Sequence, residues 1–174
     1  MKADILYNKV LAVDSLPKES LVNNSAIKSH ILLNYIKNNS DNNHIPLSHQ
    51  QDCHWVFQYI HEKFNVKLKE VLGIKNMYAE VHNINEMTVK KNNHDHYDLT
   101  NSPYYTAAYI VQGENSNLII EWENALKKNQ TKIVPIKQNT IIIWNSDLNY
   151  YFTSNNFDEE RIVLFFNLYK AELI

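Results

Sequence analysis

The stretch that decides the fold is NSPYYTAAYIV, residues 101–111. A polar Asn-Ser-Pro lead gives way to a short run of aromatic and β-branched residues, the composition of a strand. It is one of a series. MYAEVHNINEMTV, NLIIEWE, TKIVPI, NTIIIW, YYFTS and RIVLFFNL are similarly short, and Asn, Lys, Pro or acidic turns separate them. About seven or eight strands are therefore expected after Gly73.

The N-terminal part reads differently. ILYNKVLAV predicts a strand, and SAIKSHILLNYIKNN predicts a helix capped by Ser25 with Ile27, Ile31, Leu32, Tyr35 and Ile36 as its apolar stripe. A second helix is expected from about Ser48 to about Leu72, carrying Trp55, Val56, Tyr59, Ile60, Phe64, Val66 and Leu68, with Gly73 as its stop. The ENALKKNQ segment, 123–130, fits either one helical turn or a polar loop. Helices followed by many strands predict an α+β domain in which helices pack against a sandwich or small barrel. At 174 residues one domain is expected, 1–174, with a strand-plus-helix part over 1–75 and a β core over 76–174.

Composition narrows the function classes. Hydrophobic residues make up 44% and charged residues 21%, as in ordinary folded domains. The formal charge is −2, with basic residues scattered rather than gathered, so nucleic acid is not an expected partner. No window approaches about 18 consecutive apolar residues, and MKADILYNKVLAVDSLPKE has no secretion signal, so neither membrane nor export is expected. Cys53 stands alone in an apolar-periodic stretch and reads as a buried thiol, which makes a cytoplasmic setting the expectation. Gly occurs only twice, so Asn, the next most tolerant of positive φ, is expected to supply the turns.

Immediately before the opening stretch stands His94-Asp95-His96-Tyr97-Asp98. Side chains two apart in a strand share a face, so His-x-His or His-x-Asp presents two ligands together. Imidazole with carboxylate suits iron, manganese or zinc. The same residues equally fit a polar turn in an Asn-rich chain, and the five positions alone do not choose.

The surrounding motifs carry a resemblance. HYD and NSPYYTAAYIV, then VPIKQNTIIIWNSDLNYYFTSN with Ser146 and Leu148, then DEERIVLFFNL follow one another in order. Over roughly residues 76–168 the chain resembles the double-stranded β-helix oxygenases that use Fe(II) and 2-oxoglutarate, in their prolyl-hydroxylase-like branch. The resemblance implies a jelly-roll, cupin-like barrel with N-terminal helices against it. It also implies His96 and Asp98 as metal ligands, with His94 as the alternative. Arg161 then anchors the far carboxylate of 2-oxoglutarate bidentately, and Tyr109 adds a hydroxyl. A surface salt bridge to Asp158 or Glu159 is the other reading of Arg161, and an ordinary core aromatic that of Tyr109.

The sequence departs from the pattern at Tyr150, where the family has its distal histidine. The third ligand could be His94, His82 from YAEVHNI, or Tyr150 as a phenolate, which must first lose a proton of pKa about 10. The expected activity is oxidation of a C–H bond of a small-molecule, amino-acid or peptide substrate. A noncatalytic relative on the same scaffold, or a cupin-type metalloenzyme without 2-oxoglutarate, are the alternatives. Substrate and oligomeric state carry no signal.

Overall fold

The structure is a computed structural model, and it describes residues 2–6, 9–37, 44–47, 53–65, 72–93 and 102–170. An N-terminal hairpin, β1 (Lys2–Leu6) and β2 (Lys9–Ser15), leads through a short 3-10 turn into α1 (Leu21–Lys37). A short strand β3 (His44–Pro46) follows, then α2 (His54–Ile60), which widens into a π-type turn over His61–Asn65. Seven strands come after: β4 (Leu72–His82), β5 (Tyr105–Gln112), β6 (Asn117–Glu123), β7 (Asn129–Pro135), β8 (Thr140–Asn145), β9 (Asn149–Phe152) and β10 (Arg161–Lys170).

They form two antiparallel sheets. The larger runs β1-β2-β8-β5-β10-β4-β3 and the smaller β7-β6-β9. The N-terminal hairpin belongs to the large sheet, where Leu11–Ser15 pair with Trp144–Thr140.

Alternation in β5, β8 and β10 builds two cores at once. Ala107, Tyr109, Ile141, Ile143, Ile162, Leu164 and Phe166 face the helices, meeting Ile27, Ile31, Val56, Ile60 and Phe64. Ala108, Ile110, Ile142, Trp144, Val163 and Phe165 face the small sheet, meeting Leu118, Ile120, Tyr150 and Phe152. This double burial explains why IIIW and IVLFF are continuously apolar rather than alternating.

Three helix expectations change. α1 begins four residues before Ser25, which lies inside it, because the face turned to the sheet continues upstream through buried Asn24, bonded to the Val111 carbonyl. The described part of the second helix is shorter than expected and has unwound to a π-type turn by His61. Gly73 does not stop a helix: it sits in β4, paired with Tyr169, where tertiary pairing overrides local signals. The 124–128 segment is a turn closed by bonds to the Asn124 carbonyl and side chain. Of the non-glycine residues at positive φ, Asn85, Asn115 and Asn139 are asparagines, as the scarcity of glycine predicts.

Phe165, fully buried between the sheets, stacks on Tyr78 at 5.0 Å. Phe165→Ala is expected to destabilise the fold by about 3–5 kcal/mol, read as a lower urea midpoint with an unchanged m-value. A loss under about 1 kcal/mol would mean that this layer can collapse around the gap.

Candidate functional site

The first residue of β10 is an arginine that is fully buried. β10 alternates Arg161, Val163, Phe165 and Asn167 toward the space between the sheets, and β4 answers across the ladder with His82, Glu80, Tyr78 and Asn76. Arg161 is completely buried. Its Nε donates to His82 Nδ1 at 3.0 Å, and its Nη1 donates to Ser116 Oγ at 3.1 Å and to the Thr153 carbonyl at 2.9 Å. The guanidinium carbon lies 4.7 Å from the centre of the Phe152 ring. Nη2 is buried with no hydrogen-bond partner.

No carboxylate pairs with Arg161 among the described residues. The surface salt bridge with Glu159 is not formed, for Glu159 is 2.9 Å from Lys28 Nζ. Burial lowers the Arg161 pKa to about 10, against the pull of Glu86 and Glu80, so the group stays charged at neutral pH.

In this arrangement most of the guanidinium's donors are already in use. A guanidinium grips a carboxylate with two adjacent donors. Nε is taken by His82 and both Nη1 hydrogens by Ser116 and Thr153. Only Nη2 remains, so a carboxylate would be held at one nitrogen.

The glycine at the end of β5 makes room for it. Gly113 has φ +143, and a Cβ there would stand 2.9 Å from Arg161 Cγ.

His82 is neutral and fixed in one tautomer. Arg161 can only donate, so Nδ1 accepts and the proton sits on Nε2, 3.1 Å from Glu80 Oε2. Burial pushes the His82 pKa down. The other Glu80 oxygen is ion-paired with Lys91. Burial alone would raise the Glu80 pKa, but the His82 hydrogen bond and Lys91 outweigh it and hold the carboxyl below its ordinary range. Both His82 nitrogens are therefore engaged, which leaves neither free for a metal.

Lys91 also leads to Tyr150. The two residues form an antiparallel bridge with backbone bonds of 3.0 and 2.8 Å, so the chain approaching the histidine cluster runs along β9. Asn93 follows, its N–H on the Ser146 carbonyl at 3.1 Å. The buried Tyr150 hydroxyl donates to Asn93 Oδ1 at 3.2 Å and shares a hydrogen bond with Tyr78. Burial, then the neighbouring Tyr78 and Glu80, push the Tyr150 pKa well above its ordinary value. The side chain is a neutral phenol with a partner.

The sequence-derived ligands His94, His96 and Asp98 lie outside the described residues. Among the described residues, no three His, Cys, Asp or Glu side chains stand close enough to hold a metal. Tyr109 is not brought to Arg161. It points to the helix side of β5, its hydroxyl 2.5 Å from Asn24 Oδ1 and 2.8 Å from Asn139 Oδ1. Period two in the strand explains the miss: Ala108 and Ile110, not Tyr109, face the space between the sheets. Period two in YAEVHNI puts Glu80 on the face of Tyr78 and His82 but gives it no role, and sequence reasoning missed Lys91, Asn93, Ser116 and Gly113. The rarity of glycine could have found Gly113.

No family model and no curated protein sequence matches the chain. Solved structures do. The viral collagen prolyl hydroxylase of Paramecium bursaria Chlorella virus-1, solved as its 2-oxoglutarate complex, aligns at TM-score 0.66 with 10% identity, over 93% of this chain and 96% of that one. SnoK, a non-heme α-ketoglutarate-dependent carbocyclase of nogalamycin biosynthesis, aligns at 0.67 with 10% identity, over 94% and 79%. HygX of Streptomyces hygroscopicus, with nickel and 2-oxoglutarate bound, aligns at 0.60 with 8% identity, over 91% and 81%. The chain thus has the jelly-roll-like fold of 2-oxoglutarate Fe(II) oxygenases.

Two outcomes follow from the geometry. Gly113→Ala is expected to cost about 1–3 kcal/mol in urea titrations, since both its φ and its contact with Arg161 oppose a side chain. For His82 the folded pKa lies below the ordinary 6.5, so below about pH 6.5 the unfolded chain binds a proton that the folded chain refuses, and stability falls with acidification. Melting temperatures at about pH 7.5 and about pH 5.5 should show that fall. It should shrink in His82→Gln, whose carboxamide can still accept from Arg161; an unchanged slope assigns the effect elsewhere.

Proposed function

We propose that this protein is a 2-oxoglutarate-dependent Fe(II) oxygenase that oxidises a C–H bond of a small-molecule, amino-acid or peptide substrate. The observation that carries the reading is Arg161: a fully buried cation, without a carboxylate partner among the described residues, whose Nη2 has no acceptor. An unpaired buried charge costs several kcal/mol, and a ligand carboxylate at Nη2 removes that cost. The Ser116 hydroxyl, which accepts from Nη1, has its own hydrogen left for the same ligand.

The residues present fit the acid. For the metal the described residues offer no ligand set, so iron would rest on His96 and Asp98 with His94 as the third donor, in the segment that follows Asn93. Tyr150 joins that set only by giving up its bond to Asn93 and its proton. When bound, Fe(II) supplies the redox chemistry that couples decarboxylation of 2-oxoglutarate to oxidation of a substrate C–H bond. The chain's own contribution is to hold the acid end dry and charge-paired at Arg161, with His82 and Glu80 fixing the guanidinium.

A second reading, a noncatalytic binding protein on this scaffold, is favoured by the Tyr150 hydroxyl being committed to Asn93. Succinate formed from 2-oxoglutarate under air separates the two.

Anaerobic titration with Fe(II) and 2-oxoglutarate should develop the weak visible charge-transfer band of the chelate. Arg161→Ala should weaken 2-oxoglutarate binding about a hundredfold or more, the loss expected for a buried charge-assisted contact. Arg161→Lys, still able to offer one cationic donor, should lose less. Wild-type protein that folds normally yet shows neither band nor 2-oxoglutarate binding would sink the proposal.

A further inference from the structure

On the helix side of the large sheet, across it from Arg161, α2 and the β2–α1 connection enclose a groove of about 380 Å3. Its size falls within the range of about 300–1,000 Å3 usual for small-molecule sites. Trp55, Tyr59 and Glu62, spaced by four and then three residues, line it from one face of α2 and the turn that follows. Leu16 and Glu19 line it from the connection. The floor is apolar and aromatic: Leu16 is buried, Tyr59 is half-buried, and the half-buried Trp55 makes a T-shaped contact with the buried Tyr109 ring at 5.5 Å between centroids.

The rim is anionic. Glu19 and Glu62 are exposed, and neither has an ion pair among the described residues. No Lys, Arg or His among the described residues lines the groove. Tyr59 adds to the same sign. Its hydroxyl donates to Asp14 Oδ2 at 2.7 Å, and burial, then that bond and the Asp14 charge, push its pKa up to about 12. Donation to a carboxylate polarises the phenol and leaves its ring face more negative. Glu62 itself stands in the π-type turn over His61–Asn65, a rare irregularity of the helix that recurs at functional sites.

This combination selects by sign and by shape. A carboxylate or phosphate would meet two unpaired carboxylates. A hydrated metal ion would meet aromatic walls that cannot ligate it. An alkylammonium suits both features, because its methyl or methylene groups lie against the ring faces while its diffuse charge is shared between the rings and the carboxylates.

We propose that this groove is a binding site for a small organic ammonium ion, with Trp55 and Tyr59 against its alkyl groups and Glu19 and Glu62 balancing its charge. The site is separate from the acid corner at Arg161 and depends neither on the oxygenase reading nor on a metal.

Choline and its uncharged carbon isostere, dimethylbutanol, test this when titrated into the full-length protein at matched ionic strength. The readout is the indole resonance of Trp55 in the nuclear magnetic resonance spectrum, identified by its loss in Trp55→Phe. Choline is expected to shift that signal saturably, with half-saturation on the order of 1 mM, and the alcohol is expected to leave it in place. Glu19→Gln and Glu62→Gln, both at exposed positions, should each weaken choline about threefold, and the two together about tenfold, with the melting temperature unchanged. No saturable shift with choline, an equal shift with dimethylbutanol, or undiminished choline affinity in the double variant would each overturn the proposal, and none of these outcomes touches the reading of Arg161.

Discussion

Arg161 and His82 face each other across the β10–β4 ladder, and the rest of the site is arranged around that pair. Arg161 opens β10, whose remaining residues are clamped by β4 on one side and β5 on the other, so the strand has no freedom to tilt its first side chain out to water. His82 closes β4 and meets Nε head-on. The tautomer of the histidine is dictated by an arginine that can only donate, and the tautomer in turn dictates where Glu80 must stand. Glu80 then pairs with Lys91 and so touches the chain that leads into the histidine segment.

Among Arg161, His82, Glu80 and Lys91 the charges sum to one positive, and Glu86 also pulls on the arginine without an ion pair to it among the described residues. A purely structural network would be expected to close, since replacing such ions by apolar residues is often neutral or stabilising. Keeping a buried guanidinium, and devoting one of the two glycines of the chain to seating it, is understandable if something anionic arrives.

Much of this is legible in the amino-acid sequence. The strand-rich half, the asparagine turns and the face shared by Tyr78, Glu80 and His82 follow from period two and residue type, whereas Arg161 stands out only through the resemblance carried by DEERIVLFFNL. Period two does not tell which way a doubly buried strand faces. In β5 every side chain is buried, so Tyr109 is equally placed for either side, and only the packing of α1 against it, through Asn24, decides. The helix ends fail for a related reason: Gly73 reads as a stop until its partner Tyr169, far along the chain, recruits it into a ladder. Asn93 stays hidden because one asparagine among many carries no local mark, and its meaning lies in groups gathered from distant strands.

The single open nitrogen on Arg161 has a consequence for selectivity. A two-point grip fixes both the position and the plane of a carboxylate, whereas one nitrogen fixes only its distance and lets it turn like a ball in a socket. If Arg161 takes the proposed acid at that nitrogen, recognition of the acid's length and orientation passes to whatever holds its other end. Small dicarboxylates of similar size would all fit the socket, and discrimination among them would be made several ångströms away.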